Sequence, residues 1–305
     1  MNGNMAKQDK TQWSSMYVWM LLVPLFWGGS FATAKHVVTE IPPLVAATIR
    51  FGMAGMILAL IVTIRSVWKM DVLKVRWKGL LFIAVTGIFG YNALFFVGLH
   101  YTSVINGSLI IATMPVFTAL GAVLFLKESW SGRTGLGLIL TSIGVLVVIT
   151  EGSLDALLSS SLNIGDLMFV AALICGVLYS LAGKAVMKDV SPLLTTTLTT
   201  LFGSLLLLVS SLLEGGWERV PHMSWQGWQE MLYMVVCGTL VGYIIFNKGV
   251  EQIGAMKASM YLNLVPIVAT LASVVLYGST VAWQQLLGMI IVLSGLYIAM
   301  FAKQK

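Results

Sequence analysis

Of the 305 residues, 58% are hydrophobic and 10% charged, and the mean hydropathy is +0.92. That leaves too little polar surface to coat a water-soluble globule of this length, so the bilayer is the expected solvent. The net charge of +6 does not point to nucleic acid, because its bases are scattered over separate connections with no aromatic or Arg-rich patch beside them.

A polar tail, residues 1–16, comes first and carries Lys7 and Lys10. Apolar runs of about 20 residues, enough to cross a hydrocarbon core of about 30 Å, then follow one another. They run from Tyr17 to His36, Leu44 to Ile64, Lys78 to Val97, Val104 to Phe125 and Arg133 to Thr150, then from Gly165 to Val186, Leu193 to Leu213, Gln229 to Gly249, Met256 to Tyr277 and Leu286 to Ala302. A transmembrane barrel would show alternating segments of about ten residues instead. The first run is not expected to be a cleaved signal peptide: the polar tail precedes it and no A-x-A-like site ends it. Cys175 and Cys237 both fall inside apolar runs, where thiols act as small hydrophobes, so neither a disulfide framework nor a metal site is implied.

Lysine and arginine fall on alternate connections. The second holds Arg65, Lys69, Lys74, Arg76 and Lys78, the fourth Lys127 and Arg133, the sixth Lys184 and Lys188, the eighth Lys248 and Lys257, and the C-terminus Lys303 and Lys305. The other face carries Glu40, Glu151, Asp155, Asp166, Glu214, Glu218 and Glu230, with Arg219 nearly alone among bases. Since cytoplasmic loops concentrate Lys and Arg, both termini are expected in the cytoplasm, which requires an even number of spans.

A duplication runs through these spans. Gly98, Ser108, Met114-Pro115-Val116, Leu120, Val123, Leu136-Gly137, Ile139 and Gly144 are matched, at a constant offset of 151, by Gly249, Ser259, Val265-Pro266-Ile267, Leu271, Val274, Leu287-Gly288, Ile290 and Gly295. Shared Leu and Val reflect the small alphabet of membrane helices; matched Gly, Ser and Pro in one register indicate an internal repeat. Five spans per half make the second half insert upside down relative to the first, as in many secondary transporters, whose substrate site lies near the midplane between the halves. The expected fold is thus an all-α membrane protein of about ten transmembrane helices in two inverted five-helix repeats, residues 17–150 and 165–302.

The pattern Trp27-Gly28-Gly29-Ser30-Phe31, Pro43 followed by Arg50-Phe51, the Gly-Leu-x-Tyr-Thr-Ser stretch from Gly98 leading to Pro115, and Leu124-Phe125-Leu126-Lys127-Glu128 followed by Gly137 and Gly144 resemble the EamA-type transporters of the drug/metabolite transporter superfamily. The resemblance extends from Trp27 to Gly295. It implies ten helices, cytoplasmic termini, a central cavity between the repeats and, commonly, export of amino acids, related metabolites or toxic compounds. Ser279 stands at the counterpart of Glu128, where that family often keeps an acid, so no symmetric role is assigned to the pair.

Polar side chains at mid-depth are the candidates for the cavity, because facing lipid would be costly for them. Ser259 and Asn263, four residues apart, would share one face of a continuous helix, with Pro266 continuing it; their counterparts are Ser108, Ala112 and Pro115. The competing reading is that Ser108, Ser259 and Asn263 bond neighbouring helices. Pro115 and Pro266 are expected to bend their helices and serve as hinges. Tyr91 with Asn92, Tyr243 with Asn247 one turn on, and Trp27 with Tyr179 add aromatic and amide groups, suited to a small amphipathic solute rather than a bare ion. The candidate substrate-binding set is Asn263, Ser259, Ser108, Tyr243, Asn247, Asn92 and Trp27. Arg50, inside its helix, reads either as an attractor for a carboxylate or phosphate, with Lys35 beside it, or as a structural side chain that snorkels or satisfies helix-end carbonyls.

No catalytic cluster, metal ligand set or cofactor site is expected. Gly183-Lys184-Ala185 lacks the features of a phosphate-binding loop, so ATP is not an expected partner. Every Asp and Glu lies at or near a helix end, which favours a facilitator or exchanger over a strict proton antiporter, with protons or a counter-substrate as the candidate coupling species. The expected function is secondary transport, as an exporter by alternating access, of a small amphipathic metabolite, an amino acid or derivative first, across the cytoplasmic membrane. A multidrug efflux carrier and a non-transporting membrane sensor subunit are the alternatives.

Overall fold

The computed structural model describes residues 15–101, 110–150, 163–277 and 280–300, and among these every regular element is helical. Helix α1 (Leu22–Glu40) leads across a short turn to α2 (Pro43–Ile64). Next, α3 (Met70–Ile83) passes through a π-helical segment, Ala84–Gly90, into α4 (Tyr91–Tyr101), and α5 (Met114–Leu126) and α6 (Gly132–Thr150) follow. Beyond them lie α7 (Ile164–Val186), α8 (Pro192–Glu214) and a 3₁₀ segment, Trp217–His222. α9 (Trp225–Tyr233) then passes through a second π-helical segment, Met234–Val241, into α10 (Gly242–Ile253). Last come α11 (Ala255–Met260), a 3₁₀ segment Tyr261–Leu264, α12 (Val265–Tyr277) and α13 (Trp283–Met300).

Among the described residues eight helical stretches are long and apolar enough to cross a membrane, and Met114–Leu126 and Trp283–Ala299 are shorter apolar helices. The two short ones overlap the runs expected from Val104 to Phe125 and from Leu286 to Ala302, parts of which lie outside the described residues. Leu213, Val275 and Phe125 are each more than three-quarters exposed. Side chains of this size facing outward on every side suit hydrocarbon as the surrounding medium.

Local chemistry sets the helix starts. Pro43 and Pro192 sit in first turns, where no backbone N–H is needed. Asn163 and Asp166 form a reciprocal capping box at the start of α7, and Ser224 Oγ accepts from Gly227 N at the start of α9. Three carboxylates cap starts elsewhere in the chain. Glu40 takes the Ser224 N–H at 2.6 Å, Glu214 those of Leu44 and Val45 at 2.9 and 3.3 Å, and Glu128 those of Ala255 and Met256 at 2.8 and 3.2 Å. Negative charge on the exposed N–H groups at a helix start is favourable, so these acids pin helix to helix.

The most extensive helix contact is α6 against α13, and it is built on glycine. Gly137 lies against Gly295 and Ala299, and Gly144 against Gly288 and Val292, so closely that an added Cβ at either glycine would sit under 3 Å from backbone atoms of α13. Each pair is spaced seven residues apart, two turns along one face. In lipid, where apolar burial gives no drive between helices, such backbone approach is what holds a pair together.

The expected mid-helix bends take a different form. Pro115 stands in the first turn of α5, after a turn at residues 112–113, and Pro266 in the first turn of α12, after the 3₁₀ segment. The helix is interrupted just before each proline and restarts on it, because a first-turn residue needs no N–H partner.

Candidate functional site

The two π segments lie 150 residues apart in sequence and both border the middle of the bundle. A π turn leaves a carbonyl out of register, and polar side chains use it: Asn92 Nδ2 donates to Gly87 O at 3.2 Å and Ile88 O at 2.8 Å, and Thr239 Oγ1 to Met234 O at 3.1 Å. Trp27 Nε1 donates to Gly238 O at 2.8 Å, joining α1 to the second π segment. Gly238 and Gly242 are glycine for reasons inside the molecule. A Cβ on Gly238 would lie 2.5 Å from Ser30 Oγ and 2.9 Å from an Arg50 terminal nitrogen, and one on Gly242 would lie 2.8 Å from Trp27 Nε1.

Between these elements is a cavity of about 140 Å³. Trp27 stacks at an angle on Tyr243 and Phe246, with centroids 5.1 and 5.2 Å apart, and Tyr179 meets Tyr243 edge-on at 6.1 Å. On the opposite side Phe31 and Tyr91 both contact Phe95, at 4.8 and 5.9 Å. The wall is therefore mostly flat aromatic faces, with π edges and a few hydroxyls or amides as its polar points.

The structure gathers most of the expected residues at this cavity. Trp27, Asn92, Tyr243, Asn263, Pro115 and Pro266 line it, and so does Arg50. Asn247 stands behind the wall: its Nδ2 donates to the Tyr179 hydroxyl and to Thr196 Oγ1, both at 2.8 Å, holding Tyr179 in place. Ser259 does not join the lining; it is fully buried and donates to Met256 O at 2.8 Å. The single face expected for Ser259 and Asn263 fails because the chain tightens to 3₁₀ at Tyr261, which turns Asn263 to another direction. Ser108 lies outside the described residues.

Asn263 is 1% exposed, and neither Oδ1 nor Nδ2 has a hydrogen-bond partner among the described residues. Arg50 is 7% exposed and neither snorkels nor reaches a helix-end carbonyl: its Nε donates to Thr239 Oγ1 at 2.9 Å. Lys35 is not among the residues lining the cavity. Phe95, Phe246, Met114 and Ser180 line the cavity too and were not singled out from sequence. The available signal was spacing, since Phe95 follows Tyr91 and Phe246 follows Tyr243 by one helical turn.

Tyr179→Phe leaves a buried Asn247 N–H without its acceptor, so a loss of about 1–3 kcal/mol is expected. It should appear as a lower melting temperature in detergent, and an unchanged melting curve would show that this bond does not hold the wall.

Apolar helices with lipid-facing flanks, closed round an aromatic cavity, have the architecture of a multi-pass membrane carrier. The EamA-like transporter family matches residues 14–150 and again 163–301, and the chain belongs to that family of transporters, within the drug/metabolite transporter superfamily. It is 34% identical to an uncharacterized transporter, YyaM, of Bacillus subtilis (strain 168), over 93% of each chain. It is 28% identical to a probable amino-acid metabolite efflux pump of Salmonella typhimurium, over 92% of this chain and 93% of that one. A solved crystal structure shares the fold at a TM-score of 0.75 and 16% identity, covering 93% of this chain and 97% of that chain. The protein is thus a multi-pass membrane transporter with a small-molecule substrate.

Proposed function

We propose that the protein exports a small amphipathic metabolite, an amino acid or a derivative of one, across the cytoplasmic membrane by alternating access between two inverted five-helix repeats, 17–150 and 165–302. The carrying observation is the aromatic cavity, whose lining draws on both repeats: Trp27, Arg50, Asn92 and Pro115 from the first, Tyr243, Asn263 and Pro266 from the second. Flat faces with a few polar points suit an amphipathic solute. The Salmonella relative, named for amino-acid metabolite efflux, supports the solute class and the direction.

Further support for the inverted repeat is internal. The family matches the chain twice, and the π segments fall at corresponding positions of the two halves. In the α6–α13 crossing, Gly137 meets Gly295, the counterpart of Gly144, while Gly144 meets Gly288, the counterpart of Gly137. An exchange of partners of this kind is what a two-fold axis produces. The alternating Lys and Arg support cytoplasmic termini, and the restarts at Pro115 and Pro266 are the proposed hinges. Coupling by exchange or facilitation, without ATP, is supported by Glu40, Glu128 and Glu214, each engaged on a helix start rather than at the cavity.

Counterflow in liposomes reconstituted with purified protein tests the reading. Saturable uptake of a labelled amino acid or derivative is expected, and its absence from folded protein would overturn it. An Asn263→Ala, Tyr243→Ala double variant is expected to lose at least about tenfold in flux, the equivalent of some 1.4 kcal/mol of lost recognition. Unchanged flux at equal membrane abundance would remove both residues from the site.

A further inference from the structure

We propose that the cavity binds its substrate through a carboxylate held on Arg50, and that it prefers acids whose nitrogen is blocked or absent over the free amino acids. The inference rests on the carrier reading and names the substrate class within it.

Arg50 lies seven residues beyond Pro43, about 10 Å along α2, inside the span. Guanidinium carries five N–H donors in a planar fork. Thr239 occupies Nε, and the terminal nitrogens have no hydrogen-bond partner among the described residues. The ring of Phe51 lies 5.1 Å from the guanidinium carbon, and the missing side chain of Gly238 makes the room that Arg50 fills. The side chain is therefore held at one point with its paired end unengaged, the geometry that takes a carboxylate bidentately.

Its charge is equally unanswered. The ion pairs among the described residues join His36 to Glu40 and Glu230, and Arg76 to Asp189, all away from the cavity. Arg50 is the one formal charge among the described lining residues, which include no Asp or Glu. A buried cation without a counter-ion is costly, and an anionic ligand relieves that cost. A substrate ammonium has no such partner: it would be desolvated against aromatic faces, whose attraction for a cation is worth roughly 0.5–2 kcal/mol, and beside a fixed positive charge. Asn263, with its amide unpartnered at the border of the same cavity, is a neutral donor and acceptor. It fits an amide or acyl group better than a charged amine.

The test uses one molecular body as anion, zwitterion, neutral molecule and cation: N-acetylphenylalanine, phenylalanine, N-acetylphenylalaninamide and protonated phenylalaninamide. Binding to the purified full-length protein is measured by calorimetry in detergent, and flux separately by counterflow. The acetylated acid is expected to bind at least about tenfold more tightly than its neutral amide and than phenylalanine, and the cationic amide weakest. Arg50→Gln should bring the acid and its neutral amide within about twofold of each other, while Arg50→Lys should keep the order with a smaller ratio. Equal affinity for acid and neutral amide in the unaltered protein, phenylalanine binding as tightly as its acetylated form, no binding of any of the four, or a folded Arg50→Gln protein that keeps its preference would each overturn the proposal. The series on the unaltered protein decides the question even if Arg50→Gln fails to fold. Selective binding without flux would sink the carrier reading and leave the anion site standing; flux without charge preference would do the reverse.

Discussion

Replacement of Gly144 by valine is expected to prevent most of the protein from reaching its folded state. A Cβ at this position would sit 2.7 Å from Val292 N and 2.8 Å from Gly288 O, distances that real Cβ atoms essentially never show. Both neighbours are backbone, so no rotamer change relieves the contact, and α6 and α13 must separate along their whole crossing. The opposing effect is helix propensity, where a glycine in a helix interior costs about 0.8–1.0 kcal/mol relative to alanine. Overpacking of a close interface costs about 1–3 kcal/mol and occasionally more, so the clash wins. Alanine should already lower the melting temperature, and valine should remove most of the monodisperse peak in size-exclusion chromatography. The control is Gly132→Ala in the same helix, where an added Cβ meets nothing within 4 Å and stability should stay within about 0.5 kcal/mol. Gly144→Val protein that melted like the parent would mean that the two helices do not meet as described.

The second large effect belongs to Glu128. Its oxygens accept from Ala255 N at 2.8 Å and Met256 N at 3.2 Å, tying the end of α5 to the start of α11. Gly254 precedes that start with φ of 92°, and a Cβ there would lie 2.8 Å from Glu128 Oε1. Left-handed backbone and the close carboxylate both require glycine at this point. Hydrogen bonds to a charged group contribute about 1.5–3 kcal/mol and the helix-end charge about 0.3–1 kcal/mol more. Water reaching the partly buried position offsets part of this, so about 2–3 kcal/mol is expected for Glu128→Ala. Glu128→Gln should fall between, since one of its two terminal atoms still accepts. Transport is expected to fall further than stability alone would explain, because α11 leads within one turn to the 3₁₀ segment that carries Asn263. The measurement is counterflow at a temperature well below the melting point of each variant. Full flux in Glu128→Ala would show that the clamp supports neither the fold nor the placement of Asn263.

Much of this molecule is legible as sequence because the bilayer imposes a length and a solvent. Runs of about twenty apolar residues mark membrane-crossing stretches, and the helices observed over Pro43–Ile64, Ile164–Val186 and Pro192–Glu214 start within one residue of the runs read from Leu44, Gly165 and Leu193. The paired glycines at 137, 144, 288 and 295 are visible as a repeat, although only the structure shows that they meet one another. The lining of the candidate cavity was half legible. Polar and aromatic residues that are costly against lipid, such as Asn92, Tyr243 and Asn263, could be picked out, whereas Phe95 and Phe246 carried only their one-turn spacing from Tyr91 and Tyr243, and Met114 no signal. A lipid-facing and a cavity-facing phenylalanine are the same residue type, and a helix apolar on all sides carries no stripe to tell them apart.

Segment-level backbone geometry was not legible at all. Neither Ala84–Gly90 nor Met234–Val241 has a composition that announces a π turn. Each is placed by what packs on it: Tyr179 lies against Gly87, and Ser30 and Arg50 lie against Gly238. The 3₁₀ turn at Tyr261 likewise leaves Ser259 away from the cavity that its spacing alone had suggested it would line.

The chain by itself therefore determined its all-helical, membrane-spanning character and its family, since each is a property of composition or of residues in order. Tertiary structure alone decided which of Arg50's donors are engaged, which aromatic faces enclose the cavity and that Asn247 braces Tyr179 instead of lining the wall. Those depend on groups up to 211 residues apart in the chain, as Trp27 and Gly238 are, meeting at hydrogen-bond distance, and only close packing sets such distances.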